Sequence, residues 1–303
     1  MPDSAVSDCP SLHTLRDLLR YAVSRLREAD VHFGQGTDNA WDEAVYLLLH
    51  SLHLPLDQLE PFLDARVLED ERKHFLMLLH RRCNERIPAA YLTNEAWLQG
   101  HRFFVDDRVI IPRSPISELL TQQLEPWVPD PTDIHHVLDC CTGSGCLAIL
   151  AALAFEQAAI DATDLSADAL AVARQNVADY GLQDRIRLHQ GSLFADLDPD
   201  SRRYDLIICN PPYVNAESMR SLPQEFQHEP ELALAGGPDG MDLVGTLLEQ
   251  APRYLKDEGM LILEIGHEAH HFVAAFPDLE PMWLATAEAD DQILLLTRSQ
   301  LVS

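Results

Sequence analysis

Tyr204-Asp205-Leu206-Ile207-Ile208-Cys209-Asn210-Pro211-Pro212-Tyr213 reads as an apolar strand, entered by an acidic residue and halted by two consecutive prolines. Each proline fixes its φ and carries no N–H, so the backbone leaves the sheet rigid and extended, its carbonyls undirected by any ladder. The side-chain amide of Asn210 and the carbonyl of Pro211 then sit together at a strand's carboxyl end, where open α/β sheets bind ligands. Two acceptors side by side suit a substrate NH2 group, which offers two hydrogens in one plane. Tyr213 supplies a ring to cover the flat face of that substrate. Pro-Pro alone is an ordinary surface turn; behind an apolar strand and between Asn and Tyr, it reads as a binding corner.

Around this strand the chain alternates. From Asp133 onward, strands and helices follow one another in the pattern of a parallel sheet. It predicts strands over His136–Cys140, Ala159–Thr163, Arg185–His189, Asp205–Cys209 and Met260–Ile265. Helices are expected over Cys146–Phe155, from Ser166 to Tyr180-Gly181, over Met241–Tyr254 and from His267, with Ser166 as an N-cap and Gly181 as a stop. Trp283–Thr286 and Gln292–Leu296 read as an antiparallel pair closing the sheet. Val214 to Pro238 shows no period, and a loop of that length beside a strand end is usually functional.

The turn after the first of these strands is Asp139-Cys140-Cys141-Thr142-Gly143-Ser144-Gly145. Gly143 and Gly145 carry no Cβ, so a ligand can approach the backbone at the start of the next helix. Asp164 ends the second strand, where a carboxylate accepts from both hydroxyls of a ribose. A nucleoside cofactor is the reading. The third glycine that dinucleotide enzymes use for helix–strand packing is missing, and Asp139 before the turn suits a cofactor with positive charge. Both features favour S-adenosylmethionine over NAD. A sulfonium methyl is already activated, so the protein must supply in-line geometry. An NH2 with a delocalised lone pair is a poor nucleophile; acceptors at Asn210 and Pro211 favour a pyramidal nitrogen and stabilise the charge that grows on it. Asn210 is no base, so the proton leaves after methyl transfer.

Upstream, residues 1 to about 10 read as a disordered tail. Leu12, Leu15, Leu18, Leu19, Ala22, Val23 and Leu26 have helical period. A loop ending in Asp38-Asn39 caps a second helix from about Trp41 to Leu52, and a third runs through Glu69 to Asn84. In that third helix Phe75, Leu76, Leu78 and Leu79 face inward, and Lys73, Arg81 and Arg82, with Arg86 beyond its end, are expected outward. Ala96–Val105 with Arg108–Ile111 read as a hairpin, and Pro126 to Pro131 closes the linker. The organisation expected is an N-terminal helical substrate-recognition domain (1–95), a hairpin and linker (96–132) and a cofactor-binding methyltransferase domain (133–303).

The chain has 303 residues, 22 Lys+Arg against 49 Asp+Glu, and a net charge of −27. Such a surface repels nucleic-acid phosphates, which speaks against direct sequence-specific binding of nucleic acid, and it serves either solubility, as in an acidic host proteome, or the attraction of a basic partner. The six cysteines show no paired metal spacing and no C-x-x-C, so a reduced setting and no metal are expected. Neither a secretory signal nor a membrane span is legible, and a cytoplasmic protein is expected.

Asp139–Gly145, Asp164, Asn210-Pro-Pro-Tyr213 and Glu264-Ile265-Gly266 resemble the class I S-adenosylmethionine-dependent methyltransferases that modify glutamine side chains, the protein N5-glutamine methyltransferases. The resemblance extends over nearly the whole chain, through Gly36–Ala44, Arg86–Asn94 and Pro112-Arg113-Ser114-Pro115-Ile116. Pro-Arg-Ser-Pro and Cys141 resemble the branch whose substrate is large-subunit ribosomal protein L-three; the release-factor branch tends to have Pro-Arg-Pro before an acidic residue, and glycine where Cys141 stands. The resemblance implies a Rossmann-like, mostly parallel sheet with an antiparallel last strand. It also implies that Cys141, Thr142, Gly143, Ser144 and Gly145 cradle the methionine part of the cofactor and that Asp164 holds the ribose. Ser192 and Leu193 would flank the adenine, and Asn210, Pro211, Pro212 and Tyr213 would hold the glutamine. Ser192 departs from the acidic residue often found there, which weakens the contact to the adenine amino group. A nucleic-acid amino methyltransferase is the main rival, because an exocyclic amine presents the same planar NH2; the charge argues against it. L-three, free or in an assembling large ribosomal subunit, is the expected partner.

Overall fold

The computed structural model describes Cys9, residues 11–287 and residues 289–302. The expected N-terminal tail lies, apart from Cys9, outside the described residues. The chain divides into two compact units: one runs to Ala96 and includes Pro223–His228, the other is Trp97–Leu222 with Glu229–Ser303.

The first unit is helical: α1 (Leu15–Glu28), α2 (Ala40–Ser51), α3 (Glu69–His80) and α4 (Ala89–Thr93). Thr14 and Asp17 form a capping box that opens α1, and Asn39 accepts from the amides of Trp41 and Asp42 to open α2. Leu15, Leu18, Leu19, Ala22 and Leu26 bury one stripe of α1 in a core shared with Leu47, Leu48, Phe75 and Leu79. One expectation fails here. Arg82, expected outward, is 1% exposed. The α-helix gives way at Arg81–Glu85 to one wide π turn, whose extra residue rotates the side chains that follow. Arg82 then donates from Nε to Glu43 Oε1 (2.7 Å) and from Nη2 to the carbonyl of His32 (2.7 Å). Glu225, from the segment without visible period, joins the same cluster and accepts from the amide of His32 at 3.0 Å.

The hairpin pairs β1 (Glu95–Leu98) with β2 (His101–Phe104) about Gln99-Gly100. The expected Arg108–Ile111 arm forms no strand. The amide of Arg108 donates to Asp106 Oδ1 (3.2 Å) and that of Ile111 to Glu229 Oε1 (3.1 Å), so backbone donors that a ladder needs are held by side chains.

Beyond α5 (Ile116–Thr121) come β3 (His136–Cys140), α6 (Cys146–Ala154), β4 (Ala159–Asp164), α7 (Ala167–Asp179), β5 (Ile186–Gln190) and β6 (Tyr204–Cys209). They are followed by α8 (Ala216–Arg220), α9 (Asp242–Tyr254), β7 (Leu255–Glu264), α10 (Ala269–Ala275), β8 (Met282–Leu284), β9 (Ile293–Thr297) and α11 (Arg298–Leu301). The sheet runs β5-β4-β3-β6-β7-β9-β8. Its first five strands are parallel, and β9 pairs antiparallel with both β7 and β8, as the sequence predicts.

Alternation along β6 explains the two cores. Leu206 and Ile208 face the layer of α5 and α6, whereas Ile207 and Cys209 face α9 and α10. All four are fully buried, which is why the strand reads as an unbroken apolar run. Strand order reverses between β3 and β6, so the crevice at a topological switch point lies where the glycine turn and the Pro-Pro corner leave the sheet.

Candidate active site

A cavity of about 310 Å³ opens at that switch point. Its wall contains Cys141, Gly143, Asp164, Ser192, Leu193, Asn210 and Pro212 from among the residues singled out in the sequence. Asp139, Thr142, Ser144, Gly145, Pro211 and Tyr213 do not line it.

The absent residues build the frame. Asp139 is 1% exposed, and its Oδ2 accepts from Thr142 Oγ1 (2.5 Å) and from the amide of Ala148 (3.0 Å), stapling the glycine turn to α6. Burial drives its carboxyl up to about 7, against the pull of those two donors. Its Oδ1 and the Ser144 hydroxyl oxygen are buried without a hydrogen-bond partner among the described residues. Gly143 and Gly145 have φ of +56° and +79°, a region that other residues enter at a cost. A Cβ on Gly145 would lie 3.2 Å from that of Ala173 on α7, so this glycine also lets two helices approach.

Asp164 stands at the carboxyl end of β4 with both oxygens engaged. Oδ2 accepts from the amide of Gly143 and Oδ1 from the amide of Ser166, each at 2.8 Å. Burial raises its pKa, and the two amides oppose the rise. Each oxygen retains a second lone pair for a ligand hydroxyl.

At the other lip, Asn210 lines the cavity, and among the described residues its side chain makes no hydrogen bond and the Pro211 carbonyl accepts none. Tyr213 is turned away from the cavity. Its hydroxyl donates to Glu264 Oε1 at 2.9 Å, and Ser114 Oγ donates to the other oxygen of the same carboxylate. The expected cover over a substrate's flat face is therefore, in this structure, a buttress beneath the corner. Gly236 completes the packing, since a Cβ there would lie 2.7 Å from Tyr213 Cα.

Sequence reasoning missed part of the wall: Arg108, Val109 and Ile110 from the failed hairpin arm, Leu165 and Ser166 after Asp164, and Asp242 and Leu243 at the start of α9. Leu165, 55% exposed beside a carboxylate, is the one that carried a signal, an apolar residue where a strand has already ended. Arg113 forms a two-pronged pair with Glu229 (2.6 and 2.7 Å), which ties the linker to the loop after the corner.

A model of the methyltransferase small domain matches residues 115–239. Ribosomal protein uL3 glutamine methyltransferase of Bordetella pertussis is 67% identical over 290 residues, 96% of this chain and 97% of that protein. This chain belongs to the uL3 glutamine methyltransferase family. The enzyme of the same name from Neisseria meningitidis serogroup B is 53% identical over 291 residues, 96% of this chain and 95% of its own. Among solved structures, the hMettl16 catalytic domain in complex with MAT2A 3′UTR hairpin 6 superposes with a TM-score of 0.50 at 13% identity, over 77% of this chain and 84% of that one. That likeness concerns the fold alone. The chain is thus a methyltransferase of the glutamine-modifying kind, and the release-factor and nucleic-acid readings give way to the uL3 family.

Proposed function

We propose that the chain transfers a methyl group from S-adenosylmethionine to the side-chain amide nitrogen of a glutamine in ribosomal protein uL3. The observation that carries the acceptor side is the pair of unengaged acceptors, the Asn210 amide oxygen and the Pro211 carbonyl, fixed beside the cavity by two prolines. A carboxamide NH2 offers two hydrogens to such a pair, and holding both turns the nitrogen lone pair toward the cavity. Positive charge that builds on that nitrogen meets two carbonyl dipoles already in place, so little reorganisation is needed. Asn210 takes no proton, and the proton departs once the new N–C bond has formed.

The donor side fits the cofactor on chemistry as well as on space. Asp164 offers two acceptor oxygens to a ribose, and the glycine turn admits the methionine part. The buried Asp139, with one oxygen unpartnered, favours a cation nearby. Ser192 and Leu193 line the wall assigned to adenine. When bound, the cofactor supplies an electrophilic methyl on a sulfonium centre; the chain supplies orientation and exclusion of water.

The net charge of −27 supports a basic acceptor, and six free thiols support a reduced cytoplasmic setting. Among the described residues no helix is long and apolar enough to cross a membrane. We assign the helical unit to recognition of uL3, free or in an assembling large subunit, and the enzyme to ribosome assembly. Mass spectrometry of uL3 from cells with and without this protein tests the reading: a one-methyl increment on a glutamine, lost with the gene, is expected. An unmodified uL3 in both would overturn it.

A further inference from the structure

Glu264 is buried at the end of β7. Register sets it beside the acceptor corner, because Cys209 pairs with Leu263 and the next residues along the two strands are Asn210 and Glu264. Its two oxygens are shared between distant parts of the chain. One accepts from Tyr213, which closes the Pro-Pro corner, and the other from Ser114, in the linker before α5. Gly266 lies under the Tyr213 ring, where any Cβ would overlap the ring carbons. The ring is held from below by a glycine and at its tip by a carboxylate.

Resting on the glutamine reading of the corner, we propose that Glu264 is a positioning residue for methyl transfer, fixing Tyr213 and through it the Pro211 carbonyl that meets the acceptor NH2. A buried carboxylate holding two hydroxyls is costly unless both bonds are kept, so the arrangement resists small displacements of Tyr213. A corner meant to orient a weak nucleophile needs that stiffness, since small displacements cost heavily in rate. Glu264 makes no contact with the cavity and acts through its neighbour.

The carboxylate also titrates in a useful range. Burial brings its pKa up to about 7, with Ser114, Tyr213 and the Arg113 guanidinium opposing. Arg113 is itself paired with Glu229, burial raises the Tyr213 phenol, and the Glu268–His271 pair lies across Gly240 from the Tyr213 carbonyl, so the contribution of Glu264 is the part of the pH dependence that differs between the wild type and Glu264→Gln. Ionised, it accepts from both hydroxyls. Protonated, one of its oxygens becomes a donor and one hydroxyl must turn away. Turnover at saturating cofactor should therefore fall as pH drops through neutrality.

The test compares Glu264→Gln, Glu264→Ala and Tyr213→Phe with the wild type, on full-length enzyme and purified uL3. S-adenosylhomocysteine affinity is measured by calorimetry beside kcat and KM, with Asn210→Ala run in parallel. Glu264→Ala and Tyr213→Phe are expected to lower kcat by about tenfold or more with cofactor affinity unchanged. Glu264→Gln should retain part of the rate and lose the fall in kcat on the acid side. Tyr213→Phe keeps the ring, so it reads the contact even where the alanine variant does not fold. Wild-type kcat and an unaltered pH profile in the Tyr213 and Gln variants would overturn the proposal, as would a loss of cofactor affinity in step with kcat. A fully active Asn210→Ala would instead overturn the corner itself.

Discussion

Cys140 on β3 and Cys209 on β6 are register partners in parallel strands. Their successors, Cys141 and Asn210, both line the cavity. The two lips proposed for donor and acceptor thus leave the sheet on neighbouring strands, one strand spacing of about 4.8 Å apart. Transfer between two bound groups needs their reacting atoms in contact, and the topology brings the two lips together before any ligand arrives.

Asp164 is the hinge of the donor side. Replacing it with alanine removes the acceptor for the amides of Gly143 and Ser166 as well as the proposed grip on the ribose. S-adenosylhomocysteine affinity should fall by about 30-fold or more, the equivalent of one or two charge-assisted hydrogen bonds. Isothermal calorimetry reads this directly, and an unchanged Kd would remove Asp164 from the site.

Asp139 makes the apo-protein sensitive to pH. Its carboxyl titrates at about 7 when folded against an ordinary 3.8, so between these values the folded chain binds more protons than the unfolded one. Stability from this group is therefore lost as pH rises from about 4 to about 7. Asp139→Asn removes the titration while keeping the shape. The melting-temperature difference, variant minus wild type, should be more positive at about pH 8 than at about pH 5. A difference independent of pH would contradict the buried-carboxylate account.

Gly236 separates packing from conformation. A methyl there meets backbone, 2.7 Å from Tyr213 Cα and 2.8 Å from the Pro212 carbonyl, and backbone cannot swing aside. Gly236→Ala should displace the corner and lower kcat by about tenfold or more. Gly181→Ala is the control: at φ +67° with nothing within 4 Å, it adds about 1 kcal/mol of strain and leaves turnover alone. Equal activity of the two variants would show that the corner tolerates movement.

Arg82 tests the helical unit. Arg82→Met leaves Glu43 buried without its 2.7 Å partner and should cost about 3–5 kcal/mol in urea unfolding. Adding Glu43→Leu should recover much of that, because the unpaired Glu43 carboxylate is then gone while Glu225 keeps Arg86 at 3.3 Å. A loss below about 1 kcal/mol in the single variant would mean that water reaches the pair.

Much of the catalytic unit was legible because its signals are local. The unbroken apolar run of β6, the Ser166 cap and the glycine turn each state their conformation within a few residues. Long-range pairings were not legible. Nothing around Arg82 announces that a π turn swings it inward to Glu43, and nothing in Asp106–Ile111 shows that Glu229 will take the amide of Ile111. The sequence offers the Tyr213 ring as cover for a flat substrate, but its bond to Glu264 joins positions 51 apart, and no spacing rule reaches that far.

The proposed grip of Asn210 on a carboxamide is tested most directly by single-turnover methyl transfer to uL3 by Asn210→Ala at saturating cofactor, with S-adenosylhomocysteine affinity measured on the same preparation. The expected result is a rate lower by about 100-fold, the usual cost of one preorganised polar contact at a reacting atom, with the Kd held within about twofold. A transfer rate equal to that of the wild type would contradict the account.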